Sequence, residues 1–334
     1  MKRDFQVSVI VPVFNAAANL RQSVESAIAI DDVGEVILIE DGSTDTSLAE
    51  CESLESQYSK VRLLRHPEGQ NLGAGASRNL GVSNSKFEYI AFLDADDWYL
   101  PGRFDADREI LSSDESIDGV YNALANFYED DNLRAQWLAQ NRPEFISLSA
   151  PVPPEELIFV LLWAHPTVKG EFSTITVTVR RSFFDRVGGF NTELRLQQDT
   201  HLWKRMAAAG RLVPGNITTP VSIRRSHQFN RMTNVADQDL YRELWWRSLR
   251  DELNKLKVSG EVMQAWRRGY SSFTAEHGRR SRAMVALAAW TIHQPRGVLS
   301  RYGHFDLTVL KLFKNSRFVA RLLSLKNKVF GGGE

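Results

Sequence analysis

The chain has 334 residues, 43% of them hydrophobic and 25% charged, with 41 basic and 41 acidic side chains and no formal net charge. That is ordinary soluble globular composition, long enough for one large domain with an extension or for two domains. Balanced charge argues against a whole-chain polyanion-binding role, so no nucleic-acid partner is expected; the single cysteine, Cys51, excludes an intrachain disulfide framework and reads as a small apolar residue on a helix face.

The opening "MKRDFQVSVIVPVF" resembles a signal peptide only superficially. Asp4, Gln6 and Ser8 interrupt it, Pro12 and Asn15 close it, and no small-residue cleavage site follows. "VSVIVPVF" reads instead as a strand covered on both faces. Asn15 is placed to cap the helix that follows, where Leu20, Val24 and Ile28 recur at helical spacing. "EVILIEDGS" is a second strand, "VRLLRHP" a third and "YIAFLDAD" a fourth, with a helical stretch after the second and a glycine-rich turn and short helix before the fourth. Alternating strands and helices predict a mostly parallel sheet, whose ligands bind beyond the carboxyl ends of the strands. Asn15, Glu40, Asp41, Asp94, Asp96 and Asp97 all trail such ends and should converge on one rim.

The middle is less regular. "DGVYNALANFY" and "FSTITVTVRR" alternate as strands do, "PVPPEELIFVLLWAHP" starts with prolines and continues as a helix, and "QQDTHLWKRMAAAG" is a helix ending at Gly210. From about residue 236 the chain becomes a series of helix-like segments rich in Arg, Lys, Trp and Phe.

Chemistry concentrates first in Asp94, Asp96 and Asp97. Asp97 can be read as the cap of a helix starting near Pro101, but one cap does not account for three grouped carboxylates. A hard divalent cation such as Mg²⁺ or Mn²⁺, held by one or two carboxylates and substrate phosphates, does. Two enzyme classes place an Asp-x-Asp set after an apolar strand: phosphoaspartyl hydrolases of the haloacid-dehalogenase type, with Asp94 as nucleophile, and nucleotide-sugar transferases. In the hydrolases that strand is usually the first of the fold, whereas here it is the fourth.

"SVIVPVFN", "EDGSTD", "GASRNLG", "FLDADD", "GGF" and "QDTHLWKR" occur in this order. Together they resemble the family-2 glycosyltransferases, over roughly residues 6 to 230. The resemblance implies the GT-A fold, an α/β architecture with a Rossmann-like, mostly parallel sheet flanked by helices. It implies inverting, metal-dependent transfer from a nucleotide-sugar, with a UDP-sugar the first expectation, to a glycan or lipid-linked acceptor of a bacterial polysaccharide. Pro12, Phe14 and Asn15 match the motif lining the nucleotide pocket. Asp41 matches the acid that reads the base, and a carboxylate can accept the uracil ring N–H. Arg78 and Asn79 match a helix facing the nucleotide, Asp94 the residue near the ribose, and Asp96 the metal ligand. Asp199 matches the base that deprotonates the acceptor hydroxyl, although the family's frequent Glu-Asp pair is Gln198-Asp199 here. Its position also suits an acid at a helix N-terminus.

"SIRRSHQFNRMTN" resembles the loop that follows the catalytic helix in many relatives, which makes Arg224 and Arg225 diphosphate contacts and His227 a metal ligand. An ordinary basic loop is the alternative. His201 should point away from Asp199, and His165 reads as a packed or loop histidine. No "QxxRW" motif follows Asp199, so one sugar, or few, is expected per encounter.

The expected domains are a catalytic domain over 1–235, with a nucleotide half (1–115) and an acceptor half (116–235), and an α-helical C-terminal region over 236–334. Trp245, Trp246, Trp266 and Trp290 among basic residues allow two readings of that region: peripheral attachment to a membrane, or packing on the catalytic domain or on a second subunit as a homodimer. The expected location is cytoplasmic, at the inner face of the cell membrane if the first reading holds. An inactive nucleotide-sugar-binding scaffold is the non-enzyme alternative.

Overall fold

The computed structural model describes residues 5–139, 145–194, 196–226 and 238–274. The first hundred residues follow the predicted alternation: β1 (Val7–Val13), α1 (Ala17–Ile28), β2 (Val33–Glu40), α2 (Ser47–Gln57), β3 (Val61–Arg65), α3 (Ala74–Ser83) and β4 (Tyr89–Phe92). β1 runs parallel to β2 on one side and to β4 on the other, and β3 runs parallel to β2. The unbroken apolar character of β1 has a direct cause. Val7, Val9, Val11 and Val13 enter one core with Leu20 and Val24 of α1 and Leu54 of α2. Ile10 enters the opposite core with Ile37, Ile39 and Phe92. Each such side chain contributes about 1.5–3 kcal/mol by leaving water.

The chain then adds β5 (Trp98–Tyr99), α4 (Asp105–Ser113), β6 (Gly119–Tyr121), β7 (Ala123–Tyr128), α5 (Asp131–Ala139), β8 (Phe145–Ile146), α6 (Pro154–Leu161), β9 (Val177–Arg180), α7 (Arg181–Val187), α8 (Gln198–Ala209), β10 (Leu212–Pro214), β11 (Pro220–Ser226) and α9 (Gln238–Lys255). The main sheet has seven strands in the order β10-β6-β9-β4-β1-β2-β3, and a second sheet has four in the order β5-β11-β7-β8. Only β9 runs against its neighbours in the main sheet. This is the expected mixed α/β fold, a mostly parallel sheet with helices on both faces.

Three local expectations are corrected. Residues 118–128 are not one strand: β6 and β7 belong to different sheets, and the break falls at Asn122. Its buried amide donates to Asp107 Oδ1 at 2.8 Å and accepts from the Asn216 backbone at 2.7 Å, so the chain turns on a satisfied polar side chain. In 172–181 only Val177–Arg180 is strand, after a 3₁₀ turn at Thr174–Thr176. Asn15 does not cap α1. It sits at φ +51°, and its side-chain oxygen accepts the Thr44 N–H at 2.8 Å. The first N–H groups of α1 go instead to Ser47 Oγ and Asp45 Oδ2.

Residues Met1–Phe273 form one compact unit, so α9 and the helical residues 260–273 pack with the sheet rather than apart from it. Trp245, Trp246 and Trp266 are buried in the same core as Trp203 and Phe190. Trp266 donates its indole N–H to the Trp246 carbonyl at 3.1 Å. These three tryptophans are thus internal packing, not a face offered to lipid headgroups. Trp290 and the basic segment near the end of the chain lie outside the described residues. Among the described residues no helix is long and apolar enough to cross a membrane.

Candidate active site

Because β1, β2 and β4 are parallel neighbours, their carboxyl ends form one edge. Asn15, Asp41 and Asp94 are brought together there, as expected. Pro12 is half-buried in β1, and Phe14, just past its end, is 36% exposed on the rim. Asp41 is 1% exposed, and its carboxylate accepts backbone N–H groups from Leu72 at 2.8 Å and Gly73 at 3.0 Å. Its carbonyl accepts the Asn71 amide at 2.8 Å. Asp41 therefore pins the glycine-rich loop ahead of α3 across the end of β2. Gly42, at φ +72°, permits this: a Cβ there would lie 2.7 Å from the Gly69 carbonyl oxygen.

Arg78 projects from α3 to Asp94, with Nη2 2.5 Å from Oδ1, and its guanidinium lies over the Phe190 ring at 5.3 Å. Asn79, the next residue, turns the other way. It donates to the Phe190 carbonyl and accepts the Phe190 N–H, both at 2.9 Å. The "GGF" motif gains its meaning from this pair: at Gly189, φ +65°, a Cβ would meet Asn79 Oδ1 at 2.7 Å. Residues of two sequence motifs thus lock α3 to the segment that follows α7.

The carboxylates of "FLDADD" have separate surroundings. Asp94 is the partly exposed partner of Arg78, and Asp96 is half-buried. Asp97 is 3% exposed, and burial, followed by the charges of Asp96 and Asp94, holds it well above the usual carboxylate range. It does not cap a helix near Pro101: α4 begins at Asp105 with Phe104 in the cap position. Asp97 Oδ1 instead accepts the Arg225 N–H at 2.8 Å, fastening the end of β4 to β11. Among the described residues no group of three or more His, Cys, Asp or Glu side chains is arranged to hold a metal ion. The crowding of Asp94, Asp96 and Asp97 still fits a cation shared between one or two carboxylates and substrate phosphates. It does not fit an all-protein cage.

Arg224 and Arg225 are adjacent on β11 yet differ in role. Arg225 spends its guanidinium on the Asp96 carbonyl at 3.1 Å, Glu129 at 3.2 Å and Gln22 at 2.5 Å. Arg224 donates from Nε to Asn126 at 2.9 Å and lies over Trp137 at 5.1 Å. Burial lowers its pKa from the ordinary value, while Asp97, Glu171 and Asp199 oppose that shift. It thus feels the charges of Asp97, Glu171 and Asp199 together. His227 lies outside the described residues.

Asp199 occupies the first turn of α8. Its Oδ1 accepts the Thr200 N–H at 2.8 Å, and Thr174 Oγ1 lies 3.4 Å from Oδ2. The preceding turn is strained, with Gln197 at φ +56°, and Trp245 holds it by donating to the Gln197 carbonyl at 3.0 Å. Arg205 anchors the same helix to the carbonyls of Val187 and Gly189. Gln198 is buried against Gly75 at the start of α3. His201 points into the core, edge-on to Trp245, and burial with Arg205 and Lys204 pushes it down to about 3. His165 braces a loop, 3.0 Å from Glu156. Cys51 is buried in α2, its thiol pushed up to about 12, mainly by burial.

Sequence reasoning missed Glu171, which reaches the field of both Arg224 and Lys204, and Lys204 itself. The only sequence signal was a charged residue embedded in the apolar run of "HLWKRMAAA".

Residues 8–145 match the model of the family described as "Glycosyl transferase family 2". The chain is 29% identical over 211 residues to the succinoglycan biosynthesis protein ExoU of Rhizobium meliloti (strain 1021), covering 61% of this chain and 57% of that protein. It is 26% identical over 252 residues to an uncharacterized glycosyltransferase of Rickettsia felis, covering 75% of this chain and 39% of that protein. The chain therefore spans about half the length of these relatives or less. Among solved structures it is similar to S. aureus TarS residues 1–349 in complex with UDP, with a TM-score of 0.59 at 16% identity, covering 81% of this chain and 72% of that one. The same protein in complex with UDP-GlcNAc gives a TM-score of 0.58, also at 16% identity, with 84% and 83% covered. At that identity the likeness establishes a shared fold.

Proposed function

The chain belongs to glycosyl transferase family 2 through residues 8–145, and from that premise we propose that it moves a sugar from a nucleotide-sugar, a UDP-sugar first, to a glycan or lipid-linked acceptor in bacterial polysaccharide assembly. The observation that carries this reading is the meeting of Asn15, Asp41 and Asp94 at the carboxyl ends of the parallel strands β1, β2 and β4, with Arg78 paired to Asp94. Arg224, on β11, feels the charges of both Asp97 and Asp199.

In the proposed reaction the acceptor hydroxyl loses its proton to Asp199 as its oxygen attacks the anomeric carbon. The bond from that carbon to the diphosphate oxygen breaks in line, and the configuration inverts. Arg224 offsets the negative charge gathering on the leaving diphosphate. Asp94, held by Arg78, faces the ribose, and the loop pinned by Asp41 closes the base end of the site. Asp96 would hold Mg²⁺ or Mn²⁺ together with the donor phosphates; when bound, the ion supplies further charge neutralisation there.

The test is calorimetric titration of UDP with and without Mn²⁺ into wild type and Asp96→Ala. A Mn²⁺-dependent gain in affinity should fall at least about tenfold in the variant. An unchanged gain would rule out Asp96 as metal ligand.

A further inference from the structure

Lys204 is 3% exposed, yet its ammonium has no hydrogen-bond acceptor or ion-pair partner among the described residues. Its contacts are two aromatic faces, with Nζ 4.8 Å from the Trp163 ring centroid and 4.9 Å from that of Trp245. Three donors thus face aromatic rings with no oxygen of the described residues to receive them, and a ligand reaching the ammonium would supply one. Burial lowers its pKa to about 8, against the opposing pull of Glu171 and Asp199. Lys204 stands on α8, the same helix that carries the proposed base in its first turn.

Trp163 is the second observation. It is 62% exposed, the most open of the large apolar side chains among the described residues, and it follows α6 at φ +56°. That position ordinarily takes glycine or asparagine, and a bulky residue there is strained. Backbone strain of this kind gathers at functional sites. The strain holds an indole with one face over the Lys204 ammonium and much of its surface in solvent. Trp245, the other wall, also fixes the turn that carries Asp199.

The geometry points to a sugar subsite for the acceptor, in which the exposed surface of Trp163 stacks on a neutral pyranose ring and the Lys204 ammonium donates to its hydroxyls beside Asp199. An exposed aromatic ring suits the C–H face of a sugar. Sugar hydroxyls accept from the ammonium and donate to Glu171 and Asp199, whereas an anionic substituent would be repelled by those two carboxylates. The assignment to acceptor rather than to another glycan rests on the glycosyl-transfer reading of Asp199.

Saturation-transfer NMR with methyl glycosides of glucose, galactose and N-acetylglucosamine tests it without needing turnover. The wild type should saturate the ring protons of at least one glycoside. Trp163→Ala and Lys204→Met should each cut the signal at least about fivefold. Trp163→Asn, which relieves the left-handed backbone, should cut it equally while melting no lower than wild type. Absence of saturation in the wild type, or signals that survive in the variants, overturns the subsite. Saturation in a protein that neither binds nor turns over nucleotide-sugars supports a sugar site and sinks the transferase reading instead.

Discussion

The two sides of the candidate site are built differently. The proposed donor rim stands on the ends of three adjacent parallel strands, and two of its carboxylates are tied to backbone: Asp41 to residues 72 and 73, Asp97 to Arg225. The proposed acceptor side is assembled from segments far apart in sequence. It takes Trp163 from the end of α6, Glu171 from a loop, Asp199 and Lys204 from α8, Arg224 from β11 and Trp245 from α9. The rim is a geometry any parallel sheet provides, whereas the acceptor side depends on individual long-range contacts. Donor chemistry should therefore tolerate changes on the acceptor side, and loss of acceptor chemistry should leave nucleotide binding intact.

The largest expected effect comes from Asp199→Asn. Removing a general base should lower the rate of sugar transfer by about 10²–10⁴-fold, with UDP affinity measured by calorimetry within about twofold of wild type. A parallel loss of UDP affinity would merge the two sides and break the distinction.

The adjacent arginines provide the next test. Arg224→Ala should lower kcat for transfer by roughly 10²-fold, as loss of a charge-stabilising donor does, with little change in melting temperature. Arg225→Ala should act first on stability, costing about 1–3 kcal/mol in urea unfolding as its contacts to the Asp96 carbonyl, Glu129 and Gln22 are lost. Equal behaviour of the two variants would contradict the division of labour on β11.

The smallest effect concerns the core behind Asp199. His201 is fully buried with its pKa pushed down to about 3, chiefly by burial. A histidine lowered in the folded state contributes stability above its unfolded value near 6.5, and that stability is lost as pH falls toward about 3. The wild type should therefore lose about 2 kcal/mol of unfolding free energy between pH 6.5 and pH 5 from this group alone. His201→Leu should lack that component. Identical pH slopes in the two proteins would place the acid sensitivity elsewhere.

The rim at the strand ends was legible in the sequence because strand periodicity and the carboxyl-end rule operate locally. Nearly continuous apolar runs at β1, β2 and β4 ending in polar residues suffice to predict it. The cap reading of Asp97 fails because its partner, the Arg225 backbone, lies 128 residues away. The break at Asn122 was hidden for the same reason: its hydrogen bonds go to Asp107 and to residue 216, and alternation alone cannot reveal a change of sheet. Lys204 and Trp163 carried no local signal of their meeting. The aromatic richness after residue 236 was visible, but composition does not distinguish Trp245 facing a core from Trp245 facing lipid.

The most direct measurement is nucleotide release from UDP-, GDP- and dTDP-sugars by the purified chain, with Mn²⁺ or with EDTA, alongside thermal shift by the same donors. One donor class should raise the melting temperature and release its nucleoside diphosphate with Mn²⁺ present, and chelation should abolish both effects. Failure of every nucleotide-sugar and nucleoside diphosphate to stabilise the protein with Mn²⁺ present would contradict a donor site at the rim formed by Asp41, Asp94 and Asp96.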